Sequence, residues 1–407
     1  MRYLPILLLL AAIITAPCAA AVSPNPTFAI GVFSDRTLRA CTITSRSPIT
    51  LADESGRQVA EIPGGAVLEV EVSDGMVTAS CDRPKGSGRS PSYTLSSASP
   101  LQVRPDSGKP RSYRGQLALS VRAERLLIVD RTTLEDYLRG VLPSEIPASF
   151  APEALRAQAI AARTYAMIAA GRHRADGYDL CDLPHCQVYL GVDGENQRTS
   201  AAVSDTAGLI VTYQHKPIDA VYHDACGGRT AGNETAWQGS NPLPYLRPVL
   251  DSDPAGAFCS LSPRAVWTRQ ISQARLASAL VRFGVTAPIS TIEAGAFDQN
   301  GRPQEYVIRG SQGEVKIKAG VLRDTVNRAL GATTLPSADF TAAPNGDSFV
   351  FAGRGSGHGV GLCQWGANAM AKAGHTATQI LAHYYQETTV EPISAEIAAR
   401  LNHQGSG

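Results

Sequence analysis

Between residues 26 and 130, apolar and polar side chains alternate in short runs, among them Ala66-Val67-Leu68-Glu69-Val70-Glu71-Val72 and Leu117-Ala118-Leu119-Ser120-Val121. Gly, Pro and Asp/Ser clusters break the runs. Residues two apart share one face of a strand, so this pattern buries one side only as half-exposed strands joined by tight turns. It predicts a β-rich lobe over 22–109, with 85–92 as a loop. The period then changes. Ser149, Pro152 and Glu153 provide a polar cap, an early proline and an acidic first turn for a helix reaching about residue 170. A region over 264–335 reads as a strand, a helix over 272–283, a hairpin turning at Asn300-Gly301 and a helix over 319–330. Residues 365–373 read as a helix stopping at Gly374, and Thr376 with Gln379 forms a capping box for a last helix through Tyr385. Strands and helices cluster instead of alternating, so the expected class is α+β and not a doubly wound sheet.

Arg2 is followed by an apolar run from Leu4 to Thr15 and then by Ala16-Pro17-Cys18-Ala19-Ala20-Ala21. Residues 1–21 therefore read as a secretory signal, too short to span a membrane comfortably. Pro17 is a poor neighbour for lipid attachment at Cys18, and membrane contact is expected only if the leader stays uncleaved. The destination is the periplasm or the extracellular cell wall. A net charge of +1, with 43% hydrophobic and 18% charged residues, fits a globular protein and gives no reason to expect nucleic acid as a partner. Seven cysteines follow the leader, and an oxidising compartment allows disulfides; position suggests Cys41 with Cys81 and Cys226 with Cys259, with an odd thiol left over.

Residues 353–361 place glycine at every second position, with Arg354, Ser356 and His358 between Gly353, Gly355, Gly357 and Gly359. If extended, one face is bare and the other carries a guanidinium, a hydroxyl and an imidazole. Something must then approach the bare face closely, unless the stretch is a kinked or bulged strand. No Gly-Lys-Ser/Thr follows, so a phosphate loop is excluded. Glu145 lies in Leu142-Pro143-Ser144-Glu145-Ile146-Pro147, where two prolines restrict the backbone. Leu142, Ile146 and Phe150 could desolvate the carboxyl and raise its pKa, while the N-terminus of the following helix would act the other way. Cys181-Asp182-Leu183-Pro184-His185-Cys186, with His223 and Cys226 further on, offers ligands for tetrahedral zinc, and a short Cys181–Cys186 disulfide fits equally well. Arg163 and Tyr165 lie on the helix after Glu145, where Arg163 points either to solvent or to a polar ligand.

Leu134-Glu135-Asp136-Tyr137-Leu138-Arg139-Gly140-Val141, Pro143-Ser144-Glu145 and Ala157-Gln158-Ala159-Ile160-Ala161-Ala162-Arg163-Thr164-Tyr165 together resemble the stage II sporulation protein D (SpoIID/LytB) family. Asp182 to Tyr189, Tyr222 to Gly228, Trp237 with Pro244-Tyr245-Leu246, Gly357-His358-Gly359-Val360-Gly361 and Gln364-Trp365-Gly366-Ala367 continue the likeness over roughly 110–392. The resemblance implies a catalytic region over 110–392 with a sub-lobe near 264–335, a glycan-binding cleft, and a tail over 393–407. It implies a peptidoglycan lytic transglycosylase, preferring peptide-stripped glycan strands, or a non-catalytic enhancer of a cell-wall amidase. The family's catalytic Glu falls on Glu145. Substrate contacts are expected from Arg163, Tyr165, Arg354, Ser356, His358, Gln364 and Trp365, with Trp237 a further aromatic face. No cofactor is required; a structural zinc at Cys181, His185 and Cys186 occurs in some members. Cys363 and Ser356 depart from the family pattern, which usually has a small polar residue and a bulky aromatic there. A secreted zinc hydrolase using the same Cys/His groups is the rival outside the family.

Overall fold

The alternating runs become two antiparallel sheets in the computed structural model, which describes residues 25–397 apart from residue 255. The expected signal segment with Cys18, and the tail beyond residue 397, lie outside the described residues. Leu68 and Val70 are buried while Glu69 and Glu71 face solvent on the strand Leu68–Ser73, as a half-buried strand requires. Six strands hydrogen-bond in the order Arg111–Tyr113, Leu101–Pro105, Ala40–Thr44, Leu68–Ser73, Met76–Asp82 and Lys85–Ser90. In the seven-stranded sheet, Thr27–Val32 lies between Arg125–Thr133 and the short parallel strand Leu180–Cys181. These sheets continue past residue 109 to Thr133.

Two local expectations need correction. Lys85–Ser90 is an edge strand and not a loop, paired along its length with Met76–Asp82. Cys41 and Cys81 are not joined. The strand Leu68–Ser73 runs between theirs, with Cys41 opposite Val70 and Cys81 opposite Leu68. Two ladder spacings, about 9–10 Å, exceed the roughly 7 Å reach of a disulfide between Cα atoms. Both thiols are free.

The helical layer follows directly. Helix α1 (Leu134–Glu145) is capped by Thr133, whose side chain accepts from the Asp136 N–H, and Glu135 and Asp136 occupy its first turn. Helix α2 (Pro152–Ala169) is the buried axis of the layer. Ala157, Ala159, Ala161, Ala162 and Ala166 are fully buried, and their small side chains allow close packing on all sides. Its cap differs from expectation: Ala151 is the N-cap, Ser149 is exposed, and the Ala151 N–H donates to Asn368 Oδ1 at 2.9 Å. Helix α3 (Gln197–Asp205) packs beside α1 and α2.

One core runs from Phe28 in the first strand through α1 and α2 to Ile393, so the sheets and helices share a single apolar interior. A second core, from Trp267 to Phe351, belongs to the sub-lobe. Its hairpin Ile289–Phe297/Pro303–Gly310 turns at Asn300-Gly301, and the helix Ala319–Leu330 follows, as the sequence predicts. The strand Ser348–Arg354 also belongs to it, pairing with Val266–Ser272. The helices Gln364–Lys372 and Ala377–Tyr384 close the chain, the latter with the expected Thr376/Gln379 capping box. Among the described residues no helix is long and apolar enough to cross a membrane.

Candidate active site

Glu145 is the last residue of α1, not part of a loop ahead of α2. Pro147 disfavours the helical conformation at the residue before it, and Ile146 is accordingly extended, at φ −136° and ψ 139°. The carboxyl is half-buried. Its Oε1 accepts from the Val188 N–H at 3.0 Å. Burial raises its pKa, partly offset by that N–H and by the Tyr222 hydroxyl, and the carboxyl has no ion-pair partner among the described residues. Glu145 closes the negative C-terminal end of α1, an end that disfavours a carboxylate.

A polar network fixes this carboxyl. Gln187 Nε2 donates to the Tyr222 hydroxyl at 2.9 Å, and that hydroxyl lowers the Glu145 pKa. The Tyr137 hydroxyl in turn donates to Gln187 Oε1 at 3.3 Å. From the far side, Gln364 Nε2 donates to the Glu145 carbonyl at 2.9 Å. In the sequence, Gln187, Tyr222 and Val188 stand only within longer matching segments, and nothing in their spacing announces that they converge on one carboxyl.

The other expected residues separate into three groups. Tyr165 and Trp365 line the surroundings of Glu145: Tyr165 stands edge-on to Tyr222 at 6.2 Å, and Trp365 edge-on to Phe150 at 4.9 Å. Arg163 does not reach solvent or a ligand. It is fully buried and holds Glu135 through two hydrogen bonds of 2.8 and 2.7 Å, with Val203 and Leu209 carbonyls taking its other donors. Both readings of this arginine from sequence therefore give way to a packed ion pair tying α1 to α2.

The glycine-rich stretch is not extended. Beyond Gly353, the last glycine in a strand, Gly355, Gly357, Gly359 and Gly361 have φ of +81°, +103°, +83° and +68°. Its close approaches are to the protein itself: a Cβ on Gly361 would lie 2.2 Å from the Val221 carbonyl oxygen. His358 is turned inward. Nε2 lies 2.9 Å from the Tyr222 carbonyl oxygen and Nδ1 accepts from the Val360 N–H, while burial lowers its pKa to about 4. Ser356 exchanges backbone hydrogen bonds with Ala225. Arg354 is exposed on a separate cavity of about 1160 Å³ lined by Trp267, Tyr306, Asp339 and Phe340, which does not include Glu145.

Cys181, His185 and Cys186 come together, and His173 joins them with all four ligand atoms within 4.8 Å of one another. His173 precedes the motif by eight residues and was missed; it lies 3.1 Å from His185 Nδ1. Cys181 and Cys186 are unbonded, and the hydrogen bond from Cys186 lowers the Cys181 thiol to about 4. Two sulfurs and two imidazoles suit tetrahedral zinc. His223 is not among them: it is buried beside His358, with Nδ1 3.1 Å from the Val360 carbonyl oxygen. Cys226 and Cys259, the expected disulfide partners, are neighbours with sulfurs 3.8 Å apart and no bond.

The model of the stage II sporulation protein family matches residues 122–213, which hold α1, Glu145, α2 and the Cys181–Cys186 segment. Stage II sporulation protein D of Bacillus subtilis is 31% identical over 283 residues, covering 66% of this chain and 77% of that protein. Its counterpart in Bacillus amyloliquefaciens is 34% identical over 63% of this chain and 74% of its own length. The amidase enhancer of Bacillus subtilis is 29% identical over 62% of this chain but only 40% of its own. With the family's matched segment forming the surroundings of Glu145, and with identity above 30% over most of two such proteins, this chain belongs to the stage II sporulation protein D family.

Proposed function

We propose that this protein is an exported lytic transglycosylase acting on peptide-stripped glycan strands of peptidoglycan, with Glu145 as acid and then base. The observation that supports this most is the state of one carboxyl: half-buried, raised in pKa, held by the Val188 N–H and without an ion-pair partner among the described residues, while Gln364 holds the backbone carbonyl of the same residue. Hydrolytic glycosidases generally use two carboxyls, one of them for water or a covalent intermediate. A lytic transglycosylase needs one. Protonated Glu145 gives its proton to the bridging oxygen as the bond from C1 of N-acetylmuramic acid to the N-acetylglucosamine leaving group breaks. The sugar's own 6-hydroxyl then bonds to C1, its proton passes to the Glu145 carboxylate, and a 1,6-anhydro end remains. Tyr165 and Trp365 offer aromatic faces to the sugar rings on either side.

Zinc bound by His173, Cys181, His185 and Cys186 would staple that segment and supply no reactive position, because four protein ligands close the coordination shell. Such a closed set favours a staple over a zinc hydrolase. The likeness to the amidase enhancer favours one second reading: a non-catalytic module that binds glycan and presents it to a cell-wall amidase. Mass spectrometry of peptide-free glycan strands incubated with the mature protein, beside Glu145→Gln, separates the two. Anhydro-ended fragments from the wild type alone are expected. Retained binding without fragments from either protein would overturn the catalytic reading in favour of the enhancer.

A further inference from the structure

Three cysteines and an aspartate outside the matched family segment converge in the interior. Cys226 follows the strand Tyr222–His223, Asp251 and Cys259 flank a short hairpin, and Cys363 caps the helix Gln364–Lys372. Their ligand atoms lie within 4.8 Å of one another, and all four residues are completely buried. The backbone is arranged around the sulfurs. Cys226 and Gly366 donate their N–H groups to Cys363 Sγ at 3.3 Å each, Gly227 donates to Cys259 Sγ at 3.2 Å, and Gly228 donates to Cys226 Sγ at 3.3 Å. Gly227 and Gly228, at φ +80° and +97°, turn successive N–H groups onto the sulfurs, as in anion-binding backbone nests.

A neutral thiol is a weak acceptor and has little need of such an array, whereas a metal-bound thiolate is commonly held by donors of this kind. The spacing agrees. With zinc–sulfur bonds of about 2.3 Å, two ligands of a tetrahedron stand about 3.8 Å apart. Cys226 Sγ and Cys259 Sγ are 3.8 Å apart, far beyond the roughly 2.05 Å of a disulfide. Tyr384 donates to Asp251 Oδ1 at 2.7 Å, and the Cys226 thiol donates to its Oδ2 at 2.9 Å, a proton that a bound ion would replace. The buried guanidinium of Arg302, bound to the Cys226 carbonyl at 2.8 Å, brings a positive charge beside the cluster.

We infer that Cys226, Asp251, Cys259 and Cys363 bind a second, structural zinc ion, separate from the His173–Cys186 cluster. Thiol protons pass to solvent as the dication binds, and no oxidant is involved. The ion joins three stretches of chain behind the active site. Cys363 immediately precedes Gln364, whose amide holds the Glu145 carbonyl, so the metal braces one wall of the carboxyl's pocket.

The test is elemental analysis of the full mature protein carrying Cys181→Ser and Cys186→Ser, which silences the other cluster. One zinc per chain is expected, falling to none when Cys363→Ser is added. A folded double variant without zinc would overturn the proposal. Should these variants fail to fold, the unmutated chain serves: alkylation in denaturant without reductant is expected to label Cys226, Cys259 and Cys363 fully, with two zinc ions per chain by native mass spectrometry. A Cys226–Cys259 disulfide with Cys363 alone labelled would overturn it.

Discussion

The end of α1 and the glycine-rich stretch meet at Tyr222, and they treat their polar groups in opposite ways. Glu145 has one backbone N–H and one phenol for its carboxyl, with burial unrelieved by any cation. Across Tyr222, both ring nitrogens of His358 are engaged within the protein, and Gly355 and Gly361 press against the Ala225 and Val221 carbonyls. The carboxyl proposed to exchange a proton is held in place without an ion pair among the described residues. A group that must hold position has its hydrogen bonds completed internally. The sequence offers Glu145 as the catalytic residue and His358 as a substrate contact, and the difference between the two segments is one of partners.

Breaking the comparison at Glu145 is expected to have the largest effect. Glu145→Gln should reduce release of anhydro-ended fragments by about 10²–10⁴-fold, the usual range for a lost general acid, as measured on peptide-free strands. It should not destabilise the fold. Because burial raises the folded-state pKa of Glu145, its protonated form favours folding at low pH, and that advantage is lost as pH rises through the raised value. The glutamine variant should therefore gain thermal stability relative to wild type as pH increases from about 4.5 through that window. A Tm difference that shrank over this range would refute the assignment of a buried, neutral-leaning carboxyl.

On the glycine side the expected loss is stability. Gly361→Ala combines φ +68° with a Cβ 2.2 Å from the Val221 carbonyl oxygen, so about 1–2 kcal/mol of left-handed strain adds to about 1–3 kcal/mol of overpacking. Gly346→Ala, at φ +59° with open space around it, should show the strain alone. Chemical denaturation of the pair measures the difference, and equal losses would mean that close packing is not what this stretch requires.

Smaller effects sharpen the link between the two segments. Gln364→Ala removes one hydrogen bond of about 1 kcal/mol from the Glu145 carbonyl, so kcat should fall roughly five-fold with KM nearly unchanged. A change confined to KM would make Gln364 a substrate contact instead. Tyr222→Phe removes a hydrogen bond that lowers the Glu145 pKa, so the alkaline limb of the pH–kcat/KM profile should move to higher pH. A shift to lower pH would show that the phenol does not stabilise the carboxylate.

Local pattern alone determined much of this protein. Period-two alternation settled the two sheets, Asn300-Gly301 the hairpin, and Thr376 with Gln379 the last helix cap, because each depends on interactions within a few residues. The resemblance points to Glu145, while the direction of its pKa shift, open in the sequence between apolar neighbours and a helix N-terminus, is decided by burial in the fold. Tertiary structure decided the rest, through contacts distant in sequence. Arg163 is buried because Glu135 lies opposite it, Cys41 and Cys81 stay apart because a strand runs between theirs, and His173 enters the Cys181–Cys186 cluster because the chain folds back. The alternating glycines are visible in the sequence, but their meaning is not: repetition at period two suits an extended strand, and only the positive φ values and the protein atoms pressed against them reveal a coiled, tightly packed segment.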